Sequence, residues 1–166
     1  KKNMYSYKMI RGDTISKILS VPLFLKFLDF IQEFWSSYKL SSGENKEFKK
    51  MCDNFYRKKT HKRIKQYFNR FQQKDAFEII NGIEVPKLCD LLEKVDWDSL
   101  SEGCPSRYHG DLHFENILVS ESGDFVLLDW RQDFGGILTH GDLYYDFAKL
   151  LHGLIVSHEL VNKDMF

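Results

Sequence analysis

Tyr108-His109-Gly110-Asp111-Leu112-His113-Phe114-Glu115-Asn116-Ile117-Leu118, taken together with Phe125-Val126-Leu127-Leu128-Asp129-Trp130, decides how this chain is read. Ile117-Leu118-Val119 and the apolar run that opens at Phe125 flank Ser120-Glu121-Ser122-Gly123-Asp124, a turn-rich connector. The pattern predicts a β-hairpin with a five-residue loop. A hairpin brings its outer ends back to one side. Asn116, at the entrance to one strand, and Asp129, at the exit of the other, are therefore expected to be neighbours, with Asp111 in the loop beside them. One amide oxygen and one carboxylate suit Mg2+, which takes a few oxygen ligands, keeps several waters and binds substrate phosphates.

His109, Asp111 and Asn116 also fall on the pattern H-x-D-x-x-x-x-N, in which the acid faces an acceptor hydroxyl and the amide holds the metal. A carboxylate so placed can orient the hydroxyl and accept its proton late in a loose transition state. The expected chemistry is phosphoryl transfer.

The segment His-Gly-Asp-Leu-His-x-x-Asn-Ile-Leu, the hairpin, Leu-Asp-Trp and then Gly141-Asp142-Leu143-Tyr144-Tyr145-Asp146-Phe147-Ala148 resembles the aminoglycoside phosphotransferase and choline kinase group of kinase-like enzymes. The likeness runs over roughly residues 106–152 and is specific as a whole. It implies Asp111 as catalytic base, with Asn116 and Asp129 as magnesium ligands and Asn116 also part of the nucleotide site. His109 is implied in the catalytic set, and it and Asp146 are implied to brace the loop. The cofactors implied are Mg2+ and ATP or GTP, and the acceptors are small molecules bearing a hydroxyl: amino alcohols, aminosugars or sugars. Two departures stand out: Arg131, where many relatives carry an acid after Asp-Trp, and Phe114, where Pro is common.

At 166 residues the chain is one domain, and with 14 Phe it can fill a core. Three cysteines, Cys52, Cys89 and Cys104, show no C-x-x-C spacing, which points to a reducing compartment and away from a disulfide framework or a zinc site. The most apolar stretch, residues 21–31, contains Lys26 and Asp29, so no membrane span is expected; no leader is visible, and the cytoplasm is the default. The first residue is Lys rather than Met, which leaves open that a native N-terminus is absent. The net charge of zero hides a polarity. Residues 1–74 carry 18 Lys+Arg against 6 Asp+Glu, and residues 75–166 carry 6 against 18. The basic half raises a nucleic-acid reading, but the mirrored charges favour two halves that attract one another across a fold, with no nucleic-acid partner.

Met4-Tyr5-Ser6-Tyr7-Lys8-Met9-Ile10 alternates as a strand and stops at Arg11-Gly12-Asp13. By the resemblance, residues 1–11 form the hinge strand between two kinase lobes, with Tyr7 and Met9 meeting adenine through the backbone; the pattern alone fits an ordinary edge strand almost as well. Residues 14–100 read as a helical, substrate-selecting region. Asp13 or Thr14 caps a short helix, and Pro22 opens a longer one with an aromatic face. After Ser41-Ser42-Gly43, a helix over residues 44–73 is expected to kink, or to be interrupted between two helices, at the basic patch 57–63, a solvated face or, alternatively, an anion contact. Phe77-Glu78-Ile79-Ile80 is a short strand or a helix end, and Pro86 starts a third helix. Residues 142–160 form a final helix, capped by Asp142, in which Asp146 falls among apolar positions and needs donors.

Asp133-Phe134-Gly135 spells the D-F-G of protein kinases, but Asp129 ends an apolar strand, the context a metal ligand requires, and is preferred. No Gly-rich phosphate loop and no partnered strand Lys can be placed. The expected architecture is accordingly α+β, a protein-kinase-like C-terminal lobe, mostly helical, with a small hairpin at the active site and the N-terminal lobe absent; such a fragment is expected to be inactive alone. Two rival readings remain. One is a metal-dependent hydrolase using His109, Asp111 and His113, with His140 and Asp142 downstream; the other is a non-catalytic, pseudokinase-like binding module. For His113, a hydrogen-bonding role in the loop is preferred to metal ligation.

Overall fold

A computed structural model describes residues 9–156 and 161–164. Tyr7 lies outside the described residues, as does most of the expected hinge strand. Residues 9–11 are not in a strand; pairing begins at Gly12, in β1 (Gly12–Thr14). β1 runs antiparallel to a strand that ends at Ser120, opposite Gly12, and beyond that pair Arg11 adds a single backbone bond, accepting the Glu121 amide at 3.3 Å.

Thr14 leads into α1 (Ile15–Ile18), and Ser20 caps α2 (Val21–Phe34) by accepting the Leu23 amide at 3.4 Å. Pro22 sits in the first turn, where a missing N–H costs nothing. Phe27, Ile31 and Phe34 recur at helical spacing and form the buried stripe of α2. Trp35 and Tyr38, expected on this helix, lie beyond its end.

Ser41 and Glu44 form a reciprocal capping box that starts α3 (Ser42–Asp53). The expected interruption of the next helix is present. A π-helical turn at Asn54–Lys58 separates α3 from α4 (Lys59–Phe71), one residue register wider than an α-helix. Gln72, with φ of 51°, ends α4. Phe77-Glu78-Ile79-Ile80 resolves as a strand: β2 (Glu78–Ile80) and β3 (Ile83–Val85) pair across Asn81-Gly82, both at positive φ, a two-residue hairpin turn. The expected third helix is α5 (Leu88–Glu93), and a further helix not expected from the sequence, α6 (Trp97–Glu102), follows it, because Asp96 accepts the Ser99 amide and caps a new start.

Next come β4 (Pro105–Ser106), a 3-10 turn (Phe114–Asn116), β5 (Ile117–Ser120) and β6 (Phe125–Leu127). β5 and β6 form the expected hairpin, and β1 adds a third strand in the order β1-β5-β6. β7 (Gly141–Asp142) pairs with β4 and delivers α7 (Leu143–Ile155), which Asp142 caps. About half of the chain is helical.

Two apolar clusters carry the fold. Ile15, Phe27, Ile31, Phe34, Leu112, Phe114, Ile117 and Leu150 form the first. Phe48, Cys52, Phe55 and Phe134 form the second, with Tyr56, Tyr108 and Tyr145 against it. The loop around Asp111 lies on the seam: Leu112 is buried in one cluster and Tyr108 packs on the other. Each fully buried Phe or Ile contributes about 1.5–3 kcal/mol, so both flanks of that loop are held firmly. Among the described residues, one ion pair, Lys49 with Glu102, joins the basic and acidic halves, so the two halves are held mainly by apolar packing. No helix among them is long and apolar enough to cross a membrane.

Candidate active site

The hairpin brings Asn116 and the segment at Asp129 together through the backbone. The Leu128 amide donates to the Asn116 carbonyl at 2.9 Å, and the Arg131 amide donates to the His109 carbonyl at 2.9 Å. Asp129 is thus tethered on both sides to the loop that carries Asp111. It adopts φ of 55°, a left-handed conformation that Asp tolerates better than most residues. Its side chain is exposed and, among the described residues, forms no hydrogen bond or ion pair. Asn116 Nδ2 donates to the Asp111 carbonyl at 2.9 Å, which leaves Oδ1 as its available acceptor. An amide oxygen and a carboxylate are hard oxygen donors of the kind Mg2+ takes, and the backbone bonds hold their two residues at the same end of the hairpin.

Asp111 is half-buried, and Lys149 of α7 donates to its Oδ1 at 2.7 Å. Desolvation pushes this carboxyl up, but the hydrogen bond and charge of Lys149, followed by His113, outweigh it and hold the group below its ordinary value. Asp111 is therefore ionised near neutral pH. Sequence reasoning missed Lys149. The only local signal was a single cation in the apolar run of α7, three residues after Asp146.

Three groups support the loop. Asp146 is fully buried; its carboxylate accepts the His109 amide at 2.7 Å, the Gly110 amide at 2.8 Å and the Trp35 indole N–H at 3.0 Å. Burial pushes its carboxyl up, and the three donors pull the other way. His109 is also fully buried, and its Nδ1 accepts the Asp111 amide at 3.2 Å. His113 Nδ1 bonds Glu115 at 2.8 Å, and its Nε2 lies 3.2 Å from Asn116 Nδ2 and 3.5 Å from Asp111 Oδ2. Gly110 sits at φ of 85°, and a Cβ there would lie 2.4 Å from Arg131 Cβ, so only glycine lets the Arg131 stem pack against the loop.

Asp133 is employed elsewhere, closing a turn by accepting the Gly136 amide at 2.9 Å, while Phe134 is fully buried in the second cluster. The residues of the hydrolase reading are likewise engaged: His109 points inward and His113 bonds its own loop. Among the described residues, no group of three or more His, Cys, Asp or Glu side chains is placed to hold a metal.

Burial holds the His109 imidazole below its ordinary 6.5, with the Asp146 charge opposing. A histidine kept neutral in the fold is protonated first in the unfolded chain, so stability is present above pH 6.5 and is lost as pH falls below it. Thermal melts should therefore show a steeper loss from pH 7 to pH 5 in the parent protein than in His109→Gln. Equal slopes would remove His109 as the cause.

A model of the phosphotransferase enzyme family matches residues 55–161, from the π-helical turn through α7. Neither the curated proteins nor the solved structures yielded a match to the chain.

Proposed function

Since this chain belongs to the phosphotransferase enzyme family, whose members are kinase-like, we propose that it transfers the γ-phosphate of ATP or GTP to a hydroxyl group of a small molecule. What supports this reading is the tethering of Asp111, Asn116 and Asp129 to one loop and one end of a hairpin, with Asp111 an ionised carboxylate in a braced loop.

In this reading Asp111 accepts a hydrogen bond from the acceptor hydroxyl and aims its oxygen at the γ-phosphorus. A new O–P bond forms as the bond from the γ-phosphorus to the β–γ bridging oxygen breaks. The hydroxyl proton passes to Asp111, and the nucleoside diphosphate leaves. Asn116 Oδ1 and Asp129 would hold Mg2+, which when bound neutralises charge on the phosphates. His109 and Asp146 keep the loop in register, and His113 orients Asn116 from the side. Tyr7 and Met9 are the proposed adenine-side contacts. The chain as a whole is proposed to correspond to the C-terminal lobe of a kinase-like enzyme.

The test is Mg-nucleotide binding by the full-length gene product, measured by calorimetry. Asp129→Ala removes one of two protein ligands and should weaken Mg-ATP binding at least tenfold, with little effect on binding of ATP in the presence of chelator. An unchanged affinity for Mg-ATP would take Asp129 out of the metal site.

A further inference from the structure

Two cations, Lys59 and Arg131, lie over the Phe55 ring, and Lys149, the partner of Asp111, lies over the adjoining Tyr145 ring. Lys59, the first residue of α4, places Nζ 4.0 Å from the centre of the Phe55 ring. The Arg131 guanidinium lies 5.0 Å from the centre of the same ring. Phe55 meets Tyr145 edge-on at 4.9 Å, and Lys149, the partner of Asp111, lies 5.7 Å from the centre of Tyr145. Arg131 is locked in place by its amide bond to His109 and by its stem against Gly110.

This charge is not neutralised from within. Lys149 has Asp111, but among the described residues neither Lys59 nor Arg131 has a carboxylate within ion-pair distance. Asp133 acts on Lys59 from farther away, and one of its oxygens already closes the Gly136 turn. Burial, then Arg131, Arg63 and Lys149, pull the Lys59 amine down to about 8, against Asp133. Like charges held together on partly dry aromatic surface are costly until an anion joins them, which is the condition of a prepared anion site.

The neighbouring cleft offers the opposite charge, but it is spent. Tyr56, Tyr144, Tyr145, Asp96, Glu102 and Asp142 line a cleft of about 740 Å³. Asp142 accepts from the Tyr56 hydroxyl and the Cys104 amide, Glu102 pairs with Lys49, and Asp96 caps α6. None of these three carboxylates is left over for a cationic acceptor.

The geometry points to an acceptor that carries an anionic group, a carboxylate or a phosphate ester, beside its reacting hydroxyl, with Lys59 and Arg131 binding that group while Asp111 faces the hydroxyl. This narrows the acceptor away from amino alcohols and aminosugars, and it rests on the phosphotransferase reading. The same cations could instead hold the terminal phosphate of the nucleotide, so the test separates the two sources.

The full-length protein is titrated calorimetrically with glycerate and glycerol 3-phosphate, and with glycerol and choline as neutral and cationic hydroxyl compounds, with and without saturating Mg-ATP. The anionic probes should bind and choline should not, and the anions should bind as well or better when Mg-ATP is present. Lys59→Met and Arg131→Gln should each weaken anion binding at least tenfold, Arg131→Lys should recover much of it, and Lys62→Gln on the exposed side of α4 should change nothing. Choline binding in preference to the anions, or unchanged affinity in both variants, would overturn the proposal. Displacement of the anions by Mg-ATP would assign the cations to the nucleotide and overturn it equally. Anion binding that follows this pattern with no ADP formed in any assay would sink the phosphoryl-transfer reading and leave the anion site standing.

Discussion

Asp111→Asn is expected to lower turnover of the full-length protein by about 10²- to 10⁴-fold, the range by which a positioned general base contributes, while Mg-nucleotide binding stays largely intact. The amide keeps the shape of the side chain and can still accept from Lys149, so the loop need not move. What it loses is the charge that orients the hydroxyl and takes its proton. Because Lys149 and His113 hold the Asp111 carboxyl below its ordinary value, the parent enzyme should keep its activity well into mildly acidic pH before this base is protonated. Steady-state assays of ADP release, paired with nucleotide binding, separate the two effects. Full activity in Asp111→Asn would remove the base assignment and with it the main support for the mechanism.

Asp146→Ala should have the largest effect on stability. The carboxylate is the common acceptor for the buried His109 and Gly110 amides and for the part-buried Trp35 indole. A buried donor left without a partner costs about 1–3 kcal/mol, and three are stranded at once. Relief of the buried charge offsets part of this, since burial already pushes the Asp146 carboxyl up. A net loss of about 3 kcal/mol or more is expected in urea unfolding, with turnover falling further as the loop detaches. Asp146→Asn keeps one acceptor oxygen but turns an N–H toward a donor, and it should fall between the two. An alanine variant within about 0.5 kcal/mol of the parent would show that water or a shifted backbone satisfies these donors.

Much of the architecture was legible because it is local. The hairpin over β5 and β6 followed from strand-length apolar runs around a turn-rich connector, and the start of α3 lay in the Ser41 and Glu44 signature. The break in the long basic helix was visible as a polar patch, although its form, a π-helical turn, was not. The β2–β3 hairpin was half seen: Asn81-Gly82 is a strong turn signal, but each strand is three residues long and too short for alternation to register. The short α6 was missed because its start turns on one carboxylate, Asp96, acting as a cap just where the preceding helical pattern fades.

The sequence by itself determined which residues are proposed for the chemistry, because they sit on short-range motifs. Asp111, Asn116 and Asp129 lie within one loop and one hairpin, so their meeting needs only short-range geometry, and the same stretch carries the family likeness. Only the tertiary structure decided what surrounds them. Trp35 reaches Asp146 across 111 positions, Lys149 comes from α7 to Asp111, and Lys59 and Arg131 share the Phe55 ring. Which face of a helix turns toward a loop is set by how the two apolar clusters pack, and helical periodicity records the stripe but not its partner. The charge around Asp111, and so the kind of acceptor proposed for it, is a property of that packing.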